Sequence, residues 1–192
     1  MKKARIEAAK WMNYLYRKHG TRYDSYDHEA AVLITRDDGG YRVINEKLYY
    51  RLNFKHRPYL LKKTWKYRDR GYGLKIGARI DEEGTREGFD YIAGVESRIS
   101  EGIVETVDDA RMSWRLELGR DSLERREILR GPDRIISEIR YPDNAPFAGV
   151  EGIYKNGRII HIARIVFHES VRDRVYPFAK DILENMILVN HP

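Results

Sequence analysis

Two short turn motifs, each between β-prone apolar segments, constrain the fold more than any other feature of this sequence. Lys155-Asn156-Gly157 separates residues 150–154 from residues 158–167, and Asp37-Asp38-Gly39-Gly40 separates residues 29–36 from the segment that begins at Tyr41. Asn-Gly and Asp-Gly pairs supply the positive φ angles that tight hairpin turns require. The sequence therefore predicts antiparallel hairpins in both halves of the chain.

Helices are predicted at both ends. Apolar positions at helical spacing over residues 3–18, followed by Gly20, predict an amphipathic N-terminal helix. Ser170 can cap a C-terminal helix that reaches about Leu188, and Pro177 is a point where it can kink. Between them we predict a polar loop over residues 21–28, strands over 72–80, 89–95, 112–118 and 134–141, and a short helix from Asp121 or Ser122 to Leu129. Residues 41–52 and 58–67 are compatible with either strand or helix.

These elements predict one α+β domain over residues 1–192, mostly antiparallel sheet with an N-terminal and a C-terminal helix. Residues 1–20 would form the first helix, residues 29–167 a mainly β core, and residues 170–188 the last helix. A chain of 192 residues is long enough to bury a core without disulfides or structural metals.

The positive charge is concentrated in residues 41–75, here called the basic stretch. It holds eleven basic residues against Glu46 and Asp69, a net charge of +9, whereas the rest of the chain carries −3. Cations there alternate with aromatic residues. Lys and Arg neutralise phosphates, and unpaired bases stack on aromatic rings, so this composition favours nucleic acid as the partner, with single-stranded DNA or RNA preferred.

The predicted nucleic-acid-binding residues lie between Arg51 and Arg70. They are Arg51, Lys55, Arg57, Tyr59, Lys62, Lys63, Trp65, Lys66, Tyr67, Arg68 and Arg70. On a strand, Thr64, Lys66, Arg68 and Arg70 would form a cationic face opposite Trp65 and Tyr67. An alternative is that the rings pack in the core and only the charges meet solvent. An acidic protein partner would suit the same surface.

An acidic block follows the basic stretch. Residues 81–109 contain ten acidic residues and only Arg86 and Arg98 as cations, a net charge of −8. The two segments can pair with each other within the fold, or they can lie on different faces and leave a positive surface for phosphates. The sequence is compatible with both arrangements.

Two acidic clusters suggest a metal-dependent nuclease as an alternative function. Asp90 and Glu96 form one, and Asp133 and Glu138 form the other, which is similar to the PD…(D/E)xK pattern of many nucleases. Carboxylates in that pattern hold Mg²⁺, and a lysine orients the attacking water. Both clusters have arginine in place of that lysine, and arginine keeps its proton at working pH.

A second alternative comes from a resemblance to GyrI-like effector-binding domains. Tyr72-Gly73-Leu74, the segment from Phe89 to Glu96, and Pro146-Phe147 with Glu151 and Tyr154 resemble the centre and a later strand of those domains. The resemblance covers about a dozen residues, and the spacing from Glu151 to Tyr154 departs from the usual pattern. It implies a small-molecule pocket lined by tyrosine, tryptophan and Glu151, in which the glutamate meets cationic ligands.

Composition sets the remaining expectations. The chain has no cysteine, and its six histidines show no metal-ligand spacing. It also has no phosphate-cradling glycine motif. We therefore expect no cofactor and no metal. The absence of glutamine, with abundant Arg, Lys and Glu, is typical of a thermophile protein. No apolar run is long enough to span a bilayer, so we expect a cytoplasmic protein without membrane contact.

Overall fold

Antiparallel strands dominate the structure and form two sheets. A computed structural model describes residues 23–27, 32–45, 48–67, 71–78, 89–100, 103–118, 123–142 and 145–189. The five-stranded sheet has the order β1-β2-β3-β4-β12, and its strands are β1 (Tyr23–Asp27), β2 (Val32–Asp37), β3 (Gly40–Asn45), β4 (Tyr50–Phe54) and β12 (Ile187–Leu188).

The seven-stranded sheet has the order β5-β6-β7-β11-β10-β9-β8. Its strands are β5 (Pro58–Tyr67), β6 (Gly71–Ala78), β7 (Tyr91–Ile99), β8 (Glu124–Arg130), β9 (Arg134–Arg140), β10 (Phe147–Asn156) and β11 (Ile159–His168). Helix α1 (Val107–Leu118) follows β7. A 3₁₀ turn (Glu169–Val171) leads into helix α2 (Arg172–Glu184). The predicted α+β class and its predominance of antiparallel sheet are confirmed.

Both predicted hairpin turns are present. Gly157 has a φ of 59° between β10 and β11, and Gly40 has a φ of 131° at the start of β3. A Cβ at Gly40 would lie 2.4 Å from the Phe54 carbonyl oxygen, so the chain needs glycine there for space as well as for conformation. The ambiguous segments are strands: residues 41–52 contain most of β3 and the start of β4, and residues 58–67 form β5.

Three local predictions are wrong. The predicted strand over residues 112–118 belongs to α1. That helix starts at a reciprocal cap, where Asp109 N donates to Thr106 Oγ1 over 3.1 Å and Thr106 N donates to Asp109 Oδ2 over 2.8 Å. The predicted helix over residues 121–129 is replaced by β8, and the predicted loop over residues 21–28 contains β1. In both cases pairing with a neighbouring strand outweighs local preference.

The predicted helices have different outcomes. The C-terminal helix is confirmed but is shorter than expected, because α2 ends at Glu184 and the chain then pairs with β4 as β12. Pro177 lies inside α2. The predicted N-terminal helix lies outside the described residues. Within the part of the chain that is described, no helix has the length and apolar character needed to cross a membrane.

The two faces of the seven-stranded sheet have different surroundings. Its first face packs against α2 and the five-stranded sheet in the main core, which includes Val95, Val150, Ile165 and Val175. Its second face is covered at one end by α1, in a smaller core with α1 side chains and four isoleucines: Val107, Ala110, Ile135, Ile153, Ile160 and Ile162. Full burial of each of these large aliphatic side chains contributes about 1.5–3 kcal/mol.

A polar row crosses the first face beneath the end of α2. Ser97, His161 and Tyr154 are cross-strand neighbours on β7, β11 and β10, and all three are buried. Ser97 Oγ lies 2.8 Å from His161 Nδ1, and the Tyr154 hydroxyl donates to the Leu183 carbonyl over 2.6 Å. The ring of Tyr50 meets the imidazole edge to face at a centroid distance of 5.6 Å. The row thus joins both sheets and α2 at one place.

Candidate nucleic-acid interface

The basic stretch runs through both sheets. Its first part forms β3 and β4 in the five-stranded sheet, and its second part forms β5 and β6 at the edge of the seven-stranded sheet. Arg51 lies in β4 and Lys55 directly follows that strand, whereas Arg57 precedes β5 and Tyr59 lies at its start. The alternation of residues predicts a single cationic strand that includes Lys66, Arg68 and Arg70. This prediction overlaps only β5, which ends at Tyr67.

A groove collects three cations of the first part. It has a volume of about 340 Å³ and is lined by Arg42, Arg51, Asn53, Lys55, Asp181 and the Gly39-Gly40 turn, with Tyr41 and Phe54 beside them. Arg42 and Asn53 are cross-strand partners. The buried Nε of Arg51 has no hydrogen-bond partner among the described residues. The charged side chains of the lining give the groove a net charge of +2.

Aromatic rings hold two of the predicted cations in place. The Lys55 ammonium lies 5.6 Å from the ring centre of Phe178 on α2, and the Arg57 guanidinium lies 5.6 Å from the ring centre of Tyr59. Such cation–π contacts are worth about 0.5–1 kcal/mol at exposed sites. Tyr59 is 40% exposed, so its ring is not part of the core. The reading that all aromatics of the basic stretch pack inside does not apply to Tyr59.

The other predicted residues are placed by the backbone of β5 alone. Lys62 pairs with Lys75, Trp65 with Gly73, Lys66 with Tyr72 and Tyr67 with Gly71, and irregularities on both sides of Lys62 break the simple alternation. Lys63 lies in β5 between these pairs. Arg68 and Arg70 lie outside the described residues. Strand β5 is the outermost strand of its sheet, so this segment lies at an edge.

Several acids of the acidic block have partners outside the basic stretch. Asp90 pairs with Arg174 on α2 over 3.1 Å, and Asp108 pairs with Arg130 on β8 over 2.7 Å. Asp109 accepts hydrogen bonds at the start of α1. Those bonds, chiefly from Thr106, lower the pKa of its carboxyl group. The contacts named for these three carboxylates are all made with residues outside the basic stretch.

The proposed nuclease clusters are each spread along one strand. Asp133 precedes β9 and pairs with Arg134, whereas Glu138 is buried on β9 and pairs with Arg126 and Arg172. Five residues of extended chain separate them, roughly 17 Å. Asp90 and Glu96 are six residues apart along β7, roughly 20 Å. Among the described residues no group of three His, Asp or Glu side chains could hold a metal ion.

Glu151, the residue singled out by the GyrI-like resemblance, is buried on β10 and neutralised by two arginines. Arg125 donates to both carboxylate oxygens over 2.7 and 3.1 Å, and Arg164 Nε donates to Oε2 over 2.6 Å. Burial raises the pKa of Glu151, but the hydrogen bonds and charges of the two arginines outweigh it, and the pKa lies below its ordinary value. In this arrangement the carboxylate positions Arg164 and is closed to a cationic ligand.

Arg164 borders a cleft on the second face. The cleft has a volume of about 340 Å³, and its lining combines an aliphatic floor with Arg164, a carboxylate and one tyrosine: Ile92, Gly94, Glu96, Tyr141, Ile162, Arg164 and Val166. Beyond the cleft, Tyr141 and Phe147 meet edge to face at 6.4 Å, and Phe147 meets His168 at 5.8 Å. Phe147 is 46% exposed.

Sequence reasoning singled out Ile92 and Phe147 only as parts of the GyrI-like resemblance, and Glu96 there and in a nuclease cluster. It missed the other side chains of the cleft lining: Tyr141, Ile162, Arg164 and Val166. Phe147 stands at the start of an apolar strand, where a ring is normally assigned to the core, and nothing in the local pattern shows that this end of the sheet is uncovered. Phe178 and Asp181 come to the groove from α2, more than 100 positions along the chain from β4. Only tertiary contact brings them to the basic stretch.

No protein-family model matches this chain, and no curated protein is significantly similar to it.

Proposed function

We propose that this protein binds nucleic acid through the basic stretch, with the groove lined by Arg42, Arg51 and Lys55 as a phosphate-binding position. The convergence of these three cations is the observation that carries the proposal. Phosphate oxygens are acceptors only, and the groove offers guanidinium, ammonium and amide donors. Strand β5 contributes three further lysines to the basic stretch: Lys62, Lys63 and Lys66.

Electrostatics support the same conclusion. Three acids of the acidic block pair with Arg174, with Arg130 and with the start of α1, so they do not cancel the charge of the groove. The lining of the groove contains one acidic residue, Asp181, and three cations. Neutralisation of phosphates by such cations releases counterions and makes affinity fall with salt.

Two matched double variants test the proposal. Arg51→Gln with Lys55→Gln removes two positive charges from the groove, whereas Arg130→Gln with Lys180→Gln removes two from surfaces outside its lining. Fluorescence anisotropy with single-stranded DNA, duplex DNA and RNA is measured at several salt concentrations. We expect the groove variant to weaken binding at least tenfold and to reduce the magnitude of the salt slope for single strands by about 1.4.

The control variant should bind almost as the wild type does, because its net charge change is the same but its location differs. Equal losses in the two variants would show that only overall charge matters and would remove the groove from the proposal. No binding by the wild type to any of the three nucleic acids would refute the proposal itself.

A small-molecule function is the second candidate, supported by the cleft over Ile92, Ile162 and Val166. Clefts with an aliphatic floor and a few convergent polar groups are the usual form of ligand sites. Val166→Trp would fill the cleft. Met112→Trp is its control, because the Met112 side chain on α1 is exposed and does not line the cleft. A ring-containing carboxylic acid that raises the melting temperature of the wild type and of the control, but not of Val166→Trp, would support this candidate. The absence of any such ligand in a broad panel would count against it.

A further inference from the structure

A band of exposed rings crosses one end of the second face of the seven-stranded sheet. Tyr59, Gly77, Ile92, Val166 and Gly149 are successive cross-strand neighbours on β5, β6, β7, β11 and β10. They form one continuous row. Two positions further along β10 and β11, on the same face, Phe147 pairs with His168. Four strand spacings separate β5 from β10, so the band is roughly 19 Å long.

The rings in this band stand at the surface. Tyr59 is 40% exposed and Phe147 is 46% exposed, and Ile92 between them is 38% exposed. Gly77 has no side chain, and the ring of Phe89 covers it, because a Cβ there would lie 2.6 Å from ring atoms. Phe89 in turn lies 5.9 Å from Tyr59, centroid to centroid. Exposed rings at both ends of the row, with exposed Ile92 between them, indicate an interaction surface and not a core.

We infer that this band, Tyr59, Phe89, Ile92, Val166, Phe147 and His168, is a stacking platform for the unpaired bases of a single-stranded nucleic acid. The inference rests on the proposed function and adds that the bound nucleic acid must be single-stranded. Every base has a flat π-face, so stacking on tyrosine and phenylalanine accepts any sequence, but duplex DNA keeps these faces inside its own stack.

Charge identifies nucleic acid, and not an apolar protein segment, as the occupant. The Arg57 guanidinium lies against the ring of Tyr59 at one end of the band, and both residues belong to the basic stretch. Lys62 and Lys75 pair with each other in the β5–β6 ladder, two pairs along from Tyr59 and Gly77. A strand with a phosphate on Arg57 would bring a neighbouring base to the ring of Tyr59.

An oligonucleotide without bases isolates the stacking contribution. A labelled 12-mer of thymidine and a 12-mer of abasic sugar-phosphate carry the same charge, so a difference in affinity at one salt concentration reports the bases. We expect the wild type to bind the thymidine oligomer at least tenfold more tightly. Tyr59→Leu with Phe147→Leu should reduce this ratio to below threefold, while affinity for the abasic oligomer is unchanged.

The groove variant, Arg51→Gln with Lys55→Gln, is the control because it should weaken both oligomers equally and keep the ratio. If the wild type binds the two oligomers equally, the platform is refuted while nucleic-acid binding stands. If the wild type binds neither oligomer, both the platform and the proposed function are refuted. A ratio that survives in the folded leucine variant moves the stacking site elsewhere and refutes the assignment of this band. The comparison on wild-type protein decides the question even where a variant fails to fold.

Discussion

Burial of His161 predicts a loss of stability in mild acid. The imidazole is fully buried between the two sheets, and burial lowers its pKa to about 3, against about 6.5 in an unfolded chain. Between these values the unfolded chain binds a proton that the folded chain excludes, so the free energy of unfolding falls as the pH decreases from about 6.5 towards 3. The loss from this one group is about 2 kcal/mol at pH 5 and about 4 kcal/mol at pH 3.

Urea unfolding at pH 7.5 and pH 5.0 measures this contribution. His161→Gln replaces the titrating ring with a neutral side chain, so the stability of the wild type relative to this variant should fall by about 2 kcal/mol between the two pH values. Ser97→Ala removes the partner of Nδ1 but keeps the imidazole, and it should retain the pH dependence of the wild type. If the stability difference between wild type and His161→Gln were the same at both pH values, the imidazole would titrate normally and its burial would be contradicted.

Two further predictions concern single positions. Glu151→Gln should lower the free energy of unfolding at neutral pH by about 3 kcal/mol, because Arg125 and Arg164 lose their buried counter-charge; a loss below about 1 kcal/mol in urea unfolding would show that the network is dispensable. Gly149→Ala should destabilise more than Gly157→Ala. The new Cβ at residue 149 would lie 2.4 Å from a backbone carbonyl oxygen, whereas Gly157 has open space and the change there costs only the strain of its positive φ, about 1–2 kcal/mol. Melting temperatures that rank the two variants in the opposite order would contradict the packing at β10.

The parts of the fold that sequence reasoning predicted are those with strong local signals. Gly157 and the Gly39-Gly40 turn define two hairpins by backbone chemistry alone, and the apolar segment before His168 forms β11 as expected. The errors arise where long-range contact decides. Residues 124–130 have a composition suited to helix, but Arg125 and Arg126 reach opposite faces of a sheet and pair with buried glutamates.

The start of α1 shows a different source of error, since the signal was present but was not used. Thr106 and Asp109 have the spacing of a reciprocal helix cap, yet the alternating apolar residues from Met112 onward favoured a strand. The four-residue cap from Thr106 to Asp109 thus carried more information than the seven residues of segment 112–118.

The candidate site was predictable in its chemistry and not in its layout. Charge counting identified the basic stretch, and Arg51, Lys55, Arg57 and Tyr59 are all at least partly exposed. Its division between two sheets depends on the chain passing from β4 in one sheet to β5 in the other. The ring of Phe147, almost 90 residues after Tyr59, joins the same face only through the β7–β11–β10 pairing.

The most direct measurement of the central claim is the salt dependence of wild-type affinity for a single-stranded 12-mer. Phosphate contacts by the three groove cations alone predict a slope of about −2 for log K against log salt, and contacts by the lysines of β5 would make it steeper. Affinity should therefore fall about 15-fold or more between 50 and 200 mM salt. A flat dependence, or no binding at the lower salt concentration, would contradict a phosphate-binding surface on this protein.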